Sequence, residues 1–150
     1  MAFACSVSVA AQAAPPIRLL CSGEIVTLTD LKKKDVDKVF LNVTIDLDKR
    51  TIRIPEFWGC YADIGNIDAP HKRQACAGEP LPLAITPEEF TFYDESEDWS
   101  FKGNATLKIN RYSGTLTISS TATAKPAAGA QWRMHNATGN LMCTTPTKKF

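Results

Sequence analysis

Apolar and polar residues alternate along much of this chain. Between residues 39 and 47 every second side chain is apolar, and the next alternating segment covers residues 51–54. Alternation with a period of two predicts strands that are buried on one face. The polar residues 48–50 lie between the two segments, which predicts a hairpin. The apolar positions of the first segment are Val39, Leu41, Val43, Ile45 and Leu47, with Phe40, Asn42, Thr44 and Asp46 between them.

The clearest alternation covers residues 99–110, and it predicts a long strand. Residues 111–114 then predict a turn, in which Gly114 can adopt the positive φ that closes a tight hairpin. Leu116 and Ile118 continue the pattern in the following strand. The inward positions expected for the long strand are Trp99, Phe101, Gly103, Ala105, Leu107 and Ile109.

Less regular patterns predict strands over residues 18–28, 89–93 and 130–144. In the last of these we expect Trp132 and Met134 to face inward, His135 to face outward, and a break near residues 138–140. The charged segments at residues 31–38 and 94–98 are expected to be a connector and an acidic turn. No segment longer than about a dozen residues has a helical period.

These segments predict about seven or eight short-linked strands, and therefore an up-and-down antiparallel β-barrel, with a two-layer sandwich as the alternative. Cys21 and Cys143 lie on the expected buried faces of the first and last strands. A disulfide requires Cα atoms about 5.5 Å apart, so this pair would bring the two terminal strands together. Such pairing closes a barrel and removes both exposed sheet edges.

Residues 1–13 are expected to be a signal peptide, and residues 14–150 a single β domain. The segment is uncharged, and Ala11 and Ala13 form an A-x-A cleavage pattern before Pro15. No basic residue precedes the apolar stretch, which leaves a truncated signal peptide or a short apolar tail as the interpretations. Cleavage would remove Cys5 and would place the protein in the periplasm or outside the cell.

Composition narrows the class of protein. The chain has 17 Lys+Arg and 16 Asp+Glu, a net charge of +1, and 44% hydrophobic residues. These values are unlike those of a disordered chain or of a basic nucleic-acid-binding protein. No run of about 18 apolar residues predicts a transmembrane segment. The four cysteines that remain after cleavage favour two disulfides in an oxidising compartment over a zinc site, because none lies in a C-x-x-C motif.

The irregular segment at residues 57–82 is the candidate functional loop. We expect a Cys60–Cys76 disulfide to stabilise it, and a loop of this length in a compact domain often has a function. The alternative is an insertion that serves only its own structure. The possible contacts to a partner or ligand are Trp58, Tyr61, His71, Lys72 and Arg73.

The sequence offers little support for catalysis, metal binding or a cofactor. Its two histidines, His71 and His135, belong to no recognised catalytic motif, and the acidic clusters at residues 63–68 and 94–98 do not match a calcium loop. The leading hypothesis is a non-enzymatic protein that binds a protein or envelope component through its loop or barrel rim. The alternatives are a lipocalin-like carrier of a small apolar ligand and, less favoured, an enzyme.

Several short motifs resemble those of small periplasmic β-barrel proteins of Gram-negative bacteria. They are Cys21-Ser22-Gly23 in the first strand, Asn110-Arg111-Tyr112-Ser113-Gly114 at the hairpin, and the Lys148-Lys149-Phe150 ending. The likeness spans most of the chain after residue 13, although the segment from Cys60 to Cys76 departs from it. The resemblance implies an exported β fold and assigns no functional residues.

Overall fold

The computed structural model describes residues 14–30, 32–56, 79–97, 101–125, 131 and 133–146. These residues form nine strands and no helix. The strands are β1 (Ile17–Thr29), β2 (Lys33–Asp46), β3 (Thr51–Arg53), β4 (Leu81–Pro82), β5 (Ala84–Ile85), β6 (Glu89–Glu97), β7 (Phe101–Asn110), β8 (Thr115–Ala124) and β9 (Arg133–Thr144).

The strands form one antiparallel sheet in the order β4-β3-β2-β1-β9-β8-β7-β6-β5. The two end strands, β4 and β5, are separated along the chain by Leu83 alone, so the sheet curves round into a nearly closed barrel. The predicted up-and-down antiparallel barrel is therefore confirmed. The strand count exceeds the prediction because residues 81–85 divide into two short strands, one pairing with β3 and the other with β6.

The first and last long strands close the barrel. Residues 20–29 of β1 pair with residues 135–144 of β9, and we call this pairing the closing seam. Cys21 lies directly opposite Cys143, and the two form the predicted disulfide across a sequence separation of 122 residues. Cys21 is completely buried, so the disulfide lies on the inner side of the seam.

Large apolar side chains occupy the inner wall at the end of the barrel near Gly114, which we call the Gly114 end. They come from every long strand, because inward positions recur at every second residue. At the opposite end, near Asp30, several inward positions of β7, β8 and β9 carry small side chains instead, although His135 also faces inward there; the small ones are Gly103, Ala105, Ser120, Ala122, Ala124, Ala137 and Gly139. The buried core consists of Cys21, Leu41, Val43, Ile45, Ile52, Ile54, Leu83, Phe90, Phe92, Ala105, Leu107, Ile109, Leu116, Ile118 and Leu141.

The turn from β7 to β8 fixes the Gly114 end of the barrel. Asn110 accepts the backbone N–H groups of Tyr112 and Ser113 through its side-chain oxygen, and Gly114 has the expected positive φ, 70°. The Gly114 carbonyl in turn accepts the backbone N–H of Cys143 at 2.9 Å. The turn is therefore bonded directly to the disulfide strand β9.

Arg111 connects the same turn to its neighbour. Its guanidinium lies 4.9 Å from the centre of the Phe90 ring and donates to the Thr86 carbonyl at 2.8 Å. Its backbone N–H donates to the Glu88 carbonyl. The Asn-Arg-x-Ser-Gly motif thus has a structural role, which is to join the β5–β6 and β7–β8 turns.

Two charged segments that were expected to be irregular are strands. Residues 33–38 begin β2 and pair along their length with β1, while residues 94–97 end β6 and pair with β7. Lys34, Lys38, Glu95 and Glu97 take outward positions that face water, and Lys102 pairs with Glu97 across the β6–β7 ladder at 3.2 Å. Asp35, Asp37 and Asp94 take inward register positions. Asp98 lies outside the described residues.

The structure contradicts the inward and outward positions predicted for the last strand. β9 runs from Arg133 to Thr144 without a break, so Leu141 and His135 share the inner face while Met134 is exposed outside. Gly139 does not interrupt the strand, because it lies opposite Ile25, whose side chain occupies the space over the glycine. Trp132 and Trp99 lie outside the described residues, and only the backbone of Phe101 is described.

Candidate functional site

The loop predicted to carry the contacts falls almost wholly outside the described residues. Its predicted disulfide and all five candidate contact residues are in residues 57–78, so the structure does not test their roles. The structure does place the two chain segments that lead into and out of this stretch, which end at Glu56 and begin at Glu79. The residues concerned are Cys60, Cys76, Trp58, Tyr61, His71, Lys72 and Arg73.

Glu56 is held against the edge of β2. Asn42 donates its backbone N–H to Oε2 of Glu56 at 3.0 Å and its side-chain N–H to Oε1. Partial burial raises the pKa of Glu56, but the hydrogen bonds from Asn42 outweigh it, so the pKa is lowered overall. Glu56 therefore lies next to Asn42, beside β2.

This contact predicts a pH-dependent stability. We expect Glu56→Ala to lower the free energy of unfolding at pH 7 by about 1–2 kcal/mol, since two bonds to a carboxylate are lost. Because the folded pKa lies below the unfolded value of about 4.3, this contribution is complete above that pH and disappears as the pH falls through the folded pKa. Urea unfolding of both proteins between pH 3 and pH 7 measures it, with exposed Glu79→Ala as the control. A difference that stayed constant with pH would contradict the assignment.

The inner wall near Asp30 carries polar and titratable side chains. The register brings Thr29 and Ala122 beside His135, and the Thr29 hydroxyl lies 3.3 Å from the histidine Nδ1. Asp35 and Asp94 also occupy inward register positions, on β2 and β6. Within the described part of the chain, no group of three or more His, Cys, Asp or Glu residues is placed to hold a metal ion.

This inner wall is covered rather than open. Ala105, Ala122 and Ala124 are only 2%, 6% and 2% exposed, and their partners across the sheet include Asp94 beside Ala105 and His135 beside Ala122. These three small side chains are therefore shielded from water at this end of the barrel.

The outer face of the closing seam carries an exposed apolar patch. Phe40 on β2 is 69% exposed, Met142 on β9 is 57% exposed, and Leu20 on β1 is 41% exposed. Phe40 and Met142 lie on either side of Ser22, and Leu20 is the next outward residue of β1. We call Leu20, Phe40 and Met142 the seam patch.

The core holds the seam patch in position from behind. Leu20, Phe40 and Met142 are the chain neighbours of Cys21, Leu41 and Cys143, which meet across the sheet at the disulfide. A strand directs successive side chains to opposite faces, so fixing these three inner residues also fixes the three outer ones. The patch is therefore a rigid surface, bordered by Asn42 and the Glu56 contact.

Charged side chains lie around the patch. Its immediate neighbours on the three strands are Ser22, Asn42 and Thr144, and the nearest charges are Arg18 and Glu24 on β1, Lys38 on β2 opposite Glu24, and Glu56 bonded to Asn42. The alternating pattern already indicated that Phe40 faces outward. No local pattern indicated that Leu20, Phe40 and Met142 lie together. Their proximity depends on the pairing of β1 with β9, which are more than a hundred residues apart in sequence.

Comparison with protein-family models, curated protein sequences and solved structures finds no match for this chain. The described residues contain no helix long and apolar enough to cross a bilayer. The geometry of the barrel and its surface is therefore the basis for assigning a function.

Proposed function

We propose that this chain is an exported, non-enzymatic β-barrel protein that binds a protein partner through its outer surface. The observation that carries the proposal is the seam patch. Its three side chains expose on the order of 300 Å² of apolar surface, a size at which patches on monomeric proteins are often functional. Scattered exposed apolar residues need no explanation, but three on adjacent strands do.

The position of the patch also fits the candidate loop. Glu56, the last described residue before residues 57–78, bonds to Asn42, and Asn42 lies directly opposite Leu20 in the β1–β2 register. A partner on the seam patch would therefore also be near the point where that segment leaves the barrel. This supports a binding surface that combines the barrel wall with the predicted contacts of the loop.

The disulfide supports export. A Cys21–Cys143 bond persists in an oxidising compartment and is rare in the cytosol, where thiols are kept reduced. The near-neutral charge gives no strong field with which to attract a charged partner, so recognition would rest on apolar and hydrogen-bonding contacts. A protein surface or another envelope component with an apolar patch satisfies that requirement.

Site-specific photo-crosslinking tests the proposal. A photoreactive residue is placed at Phe40 or Met142 and, as a matched control, at Tyr93, which is also aromatic and exposed but lies on the outer face of β6. In an exporting bacterial host we expect protein adducts from positions 40 and 142 and at least tenfold fewer from position 93. Equal adducts at all positions, or none, would refute the seam patch as a binding surface.

A further inference from the structure

The outer face of β7, β8 and β9 carries neutral hydrogen-bonding side chains. Every outward residue of β8 is threonine or serine. Threonine and asparagine also lie on both sides of its three middle outward positions, with one lysine and no carboxylate among them. We call these nine positions the hydroxyl face, which consists of Asn104, Thr106, Lys108, Thr117, Ser119, Thr121, Asn136, Thr138 and Asn140.

The scarcity of charge is local to this face. The outward positions of β1, β2 and β6 carry charges of both signs, as solvated protein surfaces usually do. These charges are Arg18, Glu24, Lys34, Lys38, Asp46, Glu89, Glu95 and Glu97. Charges reach the border of the hydroxyl face, where Glu24 lies opposite Asn140 and Glu95 lies opposite Asn104.

The middle level of the hydroxyl face is a row of three hydroxyl groups beside an aromatic ring. Thr106, Ser119 and Thr138 lie opposite one another on β7, β8 and β9, on strands about 5 Å apart. In the described part of the chain, none of these three hydroxyls has a hydrogen-bond partner. Exposed Tyr93 lies opposite Thr106 on β6, and its hydroxyl donates to Oε2 of Glu95 at 2.9 Å.

This composition suits an uncharged ligand that is rich in hydrogen-bonding groups. A protein partner needs an apolar centre, and an anionic polymer needs clustered cations, whereas the row supplies neither. Hydroxyl groups both donate and accept, so they match a ligand that presents hydroxyls of its own. Threonine side chains are stiff and the strands beneath them are paired on both sides, so binding would order few side chains.

We infer that the hydroxyl face binds a neutral glycan chain that carries acetamido groups. The chain lies across the strands, with one sugar ring against Tyr93 and its hydroxyls bonded to the row. Asparagine side chains on either side of the row supply the contacts to acetamido groups. Asn104 can donate and accept, while Asn140 accepts the Thr117 hydroxyl at 3.2 Å and keeps its side-chain N–H groups for the ligand.

An NMR titration with the hexamer of N-acetylglucosamine tests the inference. We expect shifts in the amides of residues 104–108, 117–121 and 136–140, and none in residues 36–44 of β2. The variant T106V/T138V keeps the side-chain shapes and removes two hydroxyls, so it should weaken binding about tenfold. The same change at Thr44, on the outer face of β2, is the matched control and should leave the affinity within about twofold of the wild type.

Two more comparisons test the ring and the acetamido groups. Tyr93→Ala should weaken binding about fivefold, whereas Tyr93→Phe keeps the ring and should remain within about twofold of the wild type. Cellohexaose, which is neutral but has no acetamido group, should bind about fivefold more weakly than the hexamer. The affinity for the hexamer should change by less than about twofold when the salt concentration is raised, because no charges are paired.

The outcomes separate this inference from the proposed function. A hexamer that causes no shifts at millimolar concentration, or that binds T106V/T138V as tightly as the wild type, overturns the glycan site. Equal binding of cellohexaose removes the assignment to acetamido glycans. The seam patch is a different set of residues, so its protein adducts would stand in either case, and a glycan at Tyr93 adds no protein adduct to that control.

Discussion

Removal of the Cys21–Cys143 disulfide is expected to lower the free energy of unfolding by about 4 to 5 kcal/mol. The bond joins residues 122 apart in sequence, and the chain-entropy model assigns that amount to closing a loop of this length in the unfolded state. Typical domains have a total stability of about 5 to 15 kcal/mol, so the loss is a large fraction of what holds the barrel together. Urea unfolding of the Cys21→Ala/Cys143→Ala variant and the wild type measures it.

Controls separate this bond from other sources of stability. A Cys60→Ala/Cys76→Ala variant removes only the second predicted disulfide. That bond would close a much shorter loop, so we expect a smaller loss of unfolding free energy. The variant lacking Cys21 and Cys143 should also unfold with a larger dependence on urea, because its unfolded state is less restrained. A loss below about 1 kcal/mol would mean that the ten-residue β1–β9 pairing holds the barrel closed by itself.

The second large effect is expected at Gly23, which faces Leu141 across the closing seam. A Cβ on this residue would lie 2.6 Å from the Asn140 carbonyl oxygen and 3.0 Å from the Leu141 Cα, so the backbones of β1 and β9 would have to separate. We expect Gly23→Ala to lower the free energy of unfolding by about 2 to 3 kcal/mol, the upper part of the range for overpacked sites. Thermal and urea unfolding both report it.

The neighbouring residues supply matched comparisons. Ser22→Ala, one residue away and on the exposed face, should change stability by no more than about 0.5 kcal/mol. Gly139→Ala should fall between the two, because its added Cβ would lie 2.9 Å from the Ile25 side chain and 3.0 Å from the Glu24 carbonyl oxygen, a less severe approach than the 2.6 Å at Gly23. If Gly23→Ala were as mild as Ser22→Ala, the close approach of the two strands at the seam would be wrong.

Both substitutions act on the β1–β9 strand pair, which also carries the proposed binding surface. The disulfide and the Gly23–Leu141 contact lie on the inner side of the β1–β9 seam, and Leu20, Ser22 and Met142 lie on its outer side. A change that loosens the seam should therefore weaken partner binding as well as stability. The outward variant Leu20→Ser should instead reduce only the adducts from positions 40 and 142, which separates the structural residues from the binding residues.

Parts of this barrel could be predicted because they depend on local pattern. Alternation indicated the inner and outer faces of β1, β2, β7 and β8, and a positive φ was predicted for Gly114. In each case the evidence lies within a few residues, since side-chain direction in a strand changes with every residue. The first and last cysteines shared the buried faces of terminal strands, which was enough to predict their disulfide.

Other features depended on pairing between distant segments. Residues 33–38 and 94–97 are strands because β1 and β7 lie alongside them, although their own composition favours exposed turns. The phase of β9 is continuous because Ile25 fills the space over Gly139, so no break resets the alternation and His135 faces inward. No local sequence pattern indicates which residue of another strand will lie opposite in the sheet.

The sequence by itself determined the antiparallel β-barrel class, which residues face the core in most strands, and that Cys21 and Cys143 are bonded. These follow from side-chain alternation and from the position of two cysteines on buried faces. Only the tertiary structure decided that Leu20, Phe40 and Met142 form one surface around Ser22. The physical reason is that strand register is set by packing and turns across the whole chain, so residues far apart in sequence become neighbours only when the barrel closes.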